Sequence, residues 1–197
     1  MSNGDKIILH LCADIGSDSI VYKEHGYDVR CIGSDIGVEN YNPPENVYGI
    51  IANPPCTQFS LAKTTGSPRD MHEGMRLVKS CLKIIWECQY DLEGKYSKKT
   101  KLKFWCMENP NGLLKYMLGV PVYTYSPDEF GDTYQKNTCL WGWFNKPIKT
   151  HSKKNLLGFG RMKSKNIHPE YFGKLTRQER RSVCSQKFAQ AFYEVNQ

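Results

Sequence analysis

The chain has 197 residues, of which 40% are hydrophobic, 24% charged and 12% aromatic, a balance that suits one packed domain and excludes wholesale disorder. Its apolar runs are far too short to cross a bilayer, and MSNGDKII lacks the basic-then-apolar pattern of a secretory signal. A membrane protein and a secreted disulfide miniprotein are thereby excluded, and a cytoplasmic setting is expected. The net charge of +7 is uneven: residues 146–181 carry eleven Lys/Arg against two acids, Glu170 and Glu179, whereas the rest carries sixteen against eighteen. Such a stretch is either a solvated face or a polyanion-facing patch.

In chain order, residues 6–12 (KIILHLC) read as a buried strand and residues 18–25 as a helix closed by Gly26. Residues 27–33 form a second predicted strand, ending at Ser34-Asp35. Residues 47–52 form a third, running straight into Asn53-Pro54-Pro55-Cys56. Ser67-Pro68 resembles a helix start, and Met75, Val78, Leu82, Ile85 and Trp86 then follow at helical spacing, predicting one face on a sheet. Residues 91–103 are polar and read as a loop. Residues 102–107 read as a strand ending at Glu108-Asn109-Pro110.

Further strands are predicted over 120–125 and 138–144, and an irregular stretch over 146–174. Thr176 with Glu179 matches a capping box, and Phe188, Ala189, Phe192 and Val195 give a final amphipathic helix. This rhythm of strands and helices predicts an α/β fold with a mostly parallel sheet. The eight cysteines form no CxxC pair and no zinc-type cluster, so they are expected to be reduced thiols, mostly packed as small hydrophobes, with no metal site.

In open α/β sheets, ligands bind at the carboxyl ends of the strands. Four polar segments fall there. Ala13-Asp14-Ile15-Gly16-Ser17 has a glycine that lets backbone approach a ligand, and Asp35 is placed to accept from ribose hydroxyls. In the third segment two prolines fix the backbone before Cys56, a candidate nucleophile. In the fourth, Glu108 follows an apolar strand and either caps a turn or lines the same cleft.

PPCTQFS followed by MENP resembles the cytosine-5 DNA methyltransferase family, which carries a Pro-Cys-x-x-Phe-Ser nucleophile loop and then a Glu-Asn pair. LHLCADIGS is similar to that family's cofactor loop, GDTYQKNTCLWGWF to a segment of its short phage-encoded members, and RRSVCSQKFAQAFYEVN to its closing helix. The resemblance implies a Rossmann-like fold that binds S-adenosylmethionine through Ala13, Asp14, Ile15, Gly16, Ser17, Asp35, Asn53 and Pro54. It implies Cys56 as nucleophile, Glu108 as the acid at cytosine N3 and Asn109 as the residue fixing the loop. It implies DNA as partner, with a flipped or single-stranded cytosine, met by Ser60, Gln135, Lys136, Lys153, Lys154, Arg161, Lys163 and Lys165. For a phage-encoded protein the expected compartment is the host cytoplasm.

The expected organisation is a catalytic core over 1–144, a short basic segment over 145–175 in place of a large recognition domain, and a helix over 176–197 returning to the core. The cofactor loop departs from the family pattern at Cys12 and Asp14, where an aromatic and a glycine are usual, and two arginines expected after Gln135 are absent. These departures motivate the alternative of a catalytically impaired relative that binds nucleic acid or a protein. A second alternative is an amino-methyltransferase, because Asn53-Pro54-Pro55 imitates its loop, but that chemistry wants an aromatic where Cys56 stands.

Overall fold

Alternation along the first strand sets the architecture. β1 (Ile7–Leu11) sends Ile8 into one apolar cluster and Leu9 and Leu11 into another, as a strand buried on both faces must. The computed structural model describes residues 2–13, 15–90, 102–153, 168 and 171–197. Asp14, Lys154, Arg161, Lys163, Lys165 and residues 91–101 of the loop predicted over 91–103 lie outside the described residues.

The described chain forms one six-stranded mixed sheet with helices on both faces. The other strands are β2 (Asp28–Ile32), β3 (Val47–Ala52), β4 (Phe104–Pro110), β5 (Tyr123–Tyr125) and β6 (Thr138–Trp143). Their order is β2-β1-β3-β4-β6-β5. The pairs β1–β2, β1–β3 and β3–β4 are parallel, whereas β4–β6 and β5–β6 are antiparallel. The sheet is thus mostly parallel, with an antiparallel pair at one side.

The helices are α1 (Ile20–Glu24), α2 (Met71–Gln89), α3 (Lys115–Leu118), α4 (Arg177–Ser182) and α5 (Gln186–Val195). α2 buries Val78, Cys81, Ile84 and Ile85 against Leu9, Leu11 and Ile50. On the opposite face, Val21 and Tyr22 of α1 and Phe188, Phe192 and Tyr193 of α5 pack on Ile8, Ile51 and Phe104. Each such side chain removed from water contributes roughly 1.5–3 kcal/mol.

Four sequence expectations are corrected. α2 starts later than Ser67-Pro68, because Asp70 is its N-cap and accepts from the Glu73 N–H at 2.9 Å. Trp86 is turned outward, 55% exposed, and lies against Tyr90 with ring centroids 4.3 Å apart. The strand expected to stop before Glu108 runs on through Asn109 and Pro110, since β6 supplies antiparallel partners at Leu140, Cys139 and Thr138.

The closing helix over 176–197 is two helices. Thr176 and Glu179 cap the first reciprocally, and Ser185 caps the second by accepting from the Phe188 N–H. The break between them is held from outside: the Cys184 N–H donates to Ser17 Oγ at 2.9 Å, tying the C-terminal segment to the loop after β1. No described helix is long and apolar enough to cross a membrane.

Candidate active site

Strand register brings the four polar segments to one edge. Leu11 pairs with Ile32 and Ala52, and Ala52 pairs with Met107. The residues that follow β1, β2 and β3, namely Cys12, Gly33 and Asn53, therefore fall in one row with Glu108, which is still inside β4. β1 is flanked by β2 on one side and β3 on the other, so the strand order reverses there, and the carboxyl ends at such a reversal are where open α/β sheets bind ligands.

The loop after β3 is rigid for identifiable reasons. Pro54 and Pro55 restrict the backbone, and fully buried Asn109 donates its Nδ2 to the Pro54 carbonyl at 2.9 Å. Beyond the prolines the chain turns once, the Cys56 carbonyl accepting from the Phe59 and Ser60 N–H groups at 2.9 and 2.8 Å. Phe59 plugs the core, and its carbonyl accepts from the Leu113 N–H at 2.8 Å. That second contact needs Gly112, where a Cβ would lie 2.3 Å from the Phe59 oxygen. Cys56 is left at the surface, with its side chain free of the core.

Arg69 completes the loop. Its guanidinium donates to the carbonyls of Gln58, Ser60 and Lys63 at 2.9, 2.9 and 3.0 Å. The fork geometry matches three carbonyls where a single ammonium cannot. Arg69→Ala is expected to lose about 2–3 kcal/mol of stability, the scale of charge-assisted bonds left unmade. Arg69→Lys is expected not to restore that stability, and thermal denaturation of both variants checks this.

Glu108 lies within the neighbouring strand β4, its side chain 13% exposed, and Lys136 Nζ lies 3.3 Å from its Oε1. Burial, reinforced by the negative charge of Asp18, raises the Glu108 carboxyl above its ordinary value, against the pull of Lys136. Burial works against the charge on Lys136 too, but Glu108 and Asp18 outweigh it and hold the ammonium above its ordinary value. Although Cys56 is exposed, the protein packed around its base withdraws part of its solvation and, with the Glu108 charge, raises the thiol, while Lys136 and Arg181 lower it. Cys56, Glu108, Lys136 and Arg181 therefore form one electrostatic group.

Beneath this group lies buried His10. Its Nδ1 is 2.8 Å from Ser19 Oγ and its Nε2 is 4.0 Å from Asp18. Burial lowers the His10 pKa against Asp18 and Asn53, so the neutral ring is favoured.

The other expected site residues fall as follows. Ala13 is buried, Ile15 and Asp35 are exposed, and Gly16 has a φ of 72°, which glycine alone takes without strain. Ser17 is buried and is committed to Cys184 and Asp18. Asn53 is half-buried and Pro54 buried at the foot of the Cys56 loop. Ser60 Oγ accepts from the Ala62 N–H. Gln135 donates to buried Asp128 at 2.8 Å, whereas Lys136 reaches Glu108 and so belongs to the wall of the site. Lys153 is exposed and donates to Asn137 at 2.6 Å.

Sequence reasoning did not single out Arg69, Gly112, Asp18 or Arg181, whose roles depend on contacts distant in sequence. Among the described residues, no group of three or more His, Cys, Asp or Glu side chains is arranged to hold a metal ion. Compared with known proteins, the chain matches no family model and no curated protein.

Proposed function

We propose that the protein is a Rossmann-like, S-adenosylmethionine-dependent methyltransferase that transfers a methyl group to carbon 5 of cytosine in DNA. The observation that carries this reading is the pairing of a surface thiol with a buried acid. Cys56 stands on a loop fixed through Pro54 and Asn109, and Glu108, its carboxyl raised by burial, lies in the adjacent strand one position beyond the partner of Ala52.

The loops after β1 and β2 carry the residues proposed to meet the cofactor. Ile15 and Ile36 are exposed apolar side chains, 37% and 49%, on the loops after β1 and β2, suited to an adenine ring. Asp35 lies between Ile36 and the strand end and is exposed, suited to ribose hydroxyls. Gly16 leaves room where a Cβ would crowd Cys31 Sγ at 3.3 Å. Ala13, Ile15, Gly16, Ser17 and Asp35 would hold S-adenosylmethionine, which supplies an electrophilic methyl group when bound. Asp35→Ala is expected to weaken cofactor binding by about 1–3 kcal/mol, the cost of an unpaired hydroxyl, as read by titration calorimetry.

The chain's own groups then perform the activation. Cytosine carbon 5 is a poor nucleophile until a thiolate adds to carbon 6. Glu108 gives a proton or hydrogen bond to ring N3, which makes carbon 6 electrophilic and draws electron density from the attacking sulfur. While Glu108 keeps its proton it carries no charge to raise the Cys56 thiol, and Lys136 and Arg181 favour the thiolate. The electron pair that the sulfur brings to carbon 6 is taken up at N3, to which the Glu108 proton passes. Acid and nucleophile thus assist one another. Carbon 6 is stacked inside a duplex, so the base must be flipped out or already unpaired.

DNA as partner is supported by the basic balance of residues 146–181. Lys153, Lys154, Arg161, Lys163 and Lys165 are proposed to contact phosphates, which position without specifying sequence. Affinity for duplex DNA is expected to fall by roughly 0.9 log unit per log unit of salt for each contact made. Fluorescence anisotropy across a salt series measures that slope. The decisive experiment supplies radiolabelled methyl donor and DNA, then locates the label on the base. Label on carbon 5 is the expected result. No transfer, together with no calorimetric cofactor binding at millimolar concentration, replaces this reading with an impaired relative that binds nucleic acid or a protein.

A further inference from the structure

A second pair of thiols lies at the foot of the loop after β1. Cys12, the first residue beyond that strand, is half-buried, and Cys81, in the middle of α2, is fully buried. Their sulfurs are 3.8 Å apart, in contact although 69 positions separate them in the chain. Cys12 also has a φ of 58°, a left-handed conformation that a non-glycine side chain takes only at a cost. Such strain concentrates where a particular side chain is needed. Both sulfurs belong to the apolar layer between the sheet and α2.

We propose that Cys12 and Cys81 form an oxidation site, a dithiol that a low-molecular-weight disulfide such as oxidised glutathione converts into an internal disulfide. The order of events follows from access. Cys12 is reachable from solvent; Cys81 is not, and the contact with Cys12 followed by burial raises its thiol. The Cys12 thiolate attacks one sulfur of oxidised glutathione and expels a glutathione thiolate, leaving a mixed disulfide. Cys81 then loses its proton and attacks the Cys12 sulfur, expelling the second glutathione. Two protein thiols are oxidised, one glutathione disulfide is reduced to two thiols, and the electrons balance. Closing the pair to a bonded sulfur distance of about 2.0 Å requires side-chain rotation and a small approach of β1's end to α2.

The bond would latch the loop carrying Ala13, Ile15, Gly16 and Ser17 to a core helix. That loop is already tied at its far end, where Ser17 accepts from Cys184. The inference does not depend on the methyltransferase reading, since it concerns only the two thiols and the loop between fixed points.

The test treats the purified full chain with a graded excess of oxidised glutathione, blocks remaining thiols, and maps non-reduced peptides by mass spectrometry. The expected product is a Cys12–Cys81 linked peptide, lighter than the two free peptides by two hydrogens and reversed by dithiothreitol. Hydrogen exchange in residues 12–17 is expected to slow on oxidation. The link must vanish in Cys12→Ser and in Cys81→Ala, the second chosen because alanine leaves no unpaired hydroxyl in the core. A stable glutathione adduct on Cys12 without the link overturns the proposal. So does a Cys12–Cys31 link, or modification of exposed Cys31 and Cys56 while Cys12 stays reduced.

Discussion

Cys56→Ser is expected to lose methyl transfer by a factor on the order of 10⁴ or more, the scale on which enzymes respond to removal of a nucleophile. The sulfur is the reactive atom because a thiol ionises within a few units of neutrality, whereas a serine hydroxyl does not. Folding should be almost unaffected. Cys56 is exposed, and its loop is held by backbone and by Asn109, Phe59 and Arg69, none of which uses the Cys56 side chain. The expected stability change is within about 0.5 kcal/mol, and cofactor affinity should match that of the unmutated protein.

DNA carrying cytosine with fluorine at carbon 5 should trap a covalent complex, since fluorine cannot leave in the final elimination. Digestion and mass spectrometry should place the adduct on Cys56, and Cys56→Ser should form none. An adduct on another cysteine moves the active site; an active Cys56→Ser protein ends the cytosine-5 reading.

The parts of the fold legible in the sequence were those encoded locally. KIILHLC and VYGIIA are apolar runs bounded by turn residues, and their strands appear as Ile7–Leu11 and Val47–Ala52. The capping box at Thr176 and Glu179 is likewise a short-range signal and is present. What was not legible depends on partners far away. Glu108, Asn109 and Pro110 read as strand breakers, and only the opposing residues of β6 keep them in the sheet. The helix break at Cys184 is fixed by Ser17, 167 residues earlier. In the candidate site, sequence order and strand ends suggested which segments converge, but not that Lys136 turns inward to Glu108. A lysine in a basic protein carries no local mark of its partner. The three carbonyls on Arg69 were equally invisible, because backbone acceptors leave no trace in residue identity.

Glu108→Gln is expected to move two measurements in opposite directions. Methyl transfer should slow by about 10²–10⁴-fold, the usual contribution of a positioned acid, because an amide cannot protonate ring N3. Alkylation of Cys56 by iodoacetamide near neutral pH should instead become faster. The Glu108 charge raises the Cys56 thiol, so removing it lowers that pKa, and Lys136, freed from its 3.3 Å pairing, adds to the effect. The sign is the same at both sources, and more thiolate at a given pH means faster reaction with a small electrophile.

The pH profile of transfer should change accordingly. In the unmutated protein, rate rises as Cys56 ionises and falls as Glu108, raised by burial, gives up its proton. In Glu108→Gln the falling limb should disappear, leaving the ionisation of Cys56 alone. Lys136→Met should keep both limbs and move both upward, since its ammonium lowers both groups. Slower alkylation of Cys56 in Glu108→Gln would mean that the carboxylate acts by holding the loop, not by its charge on the thiol.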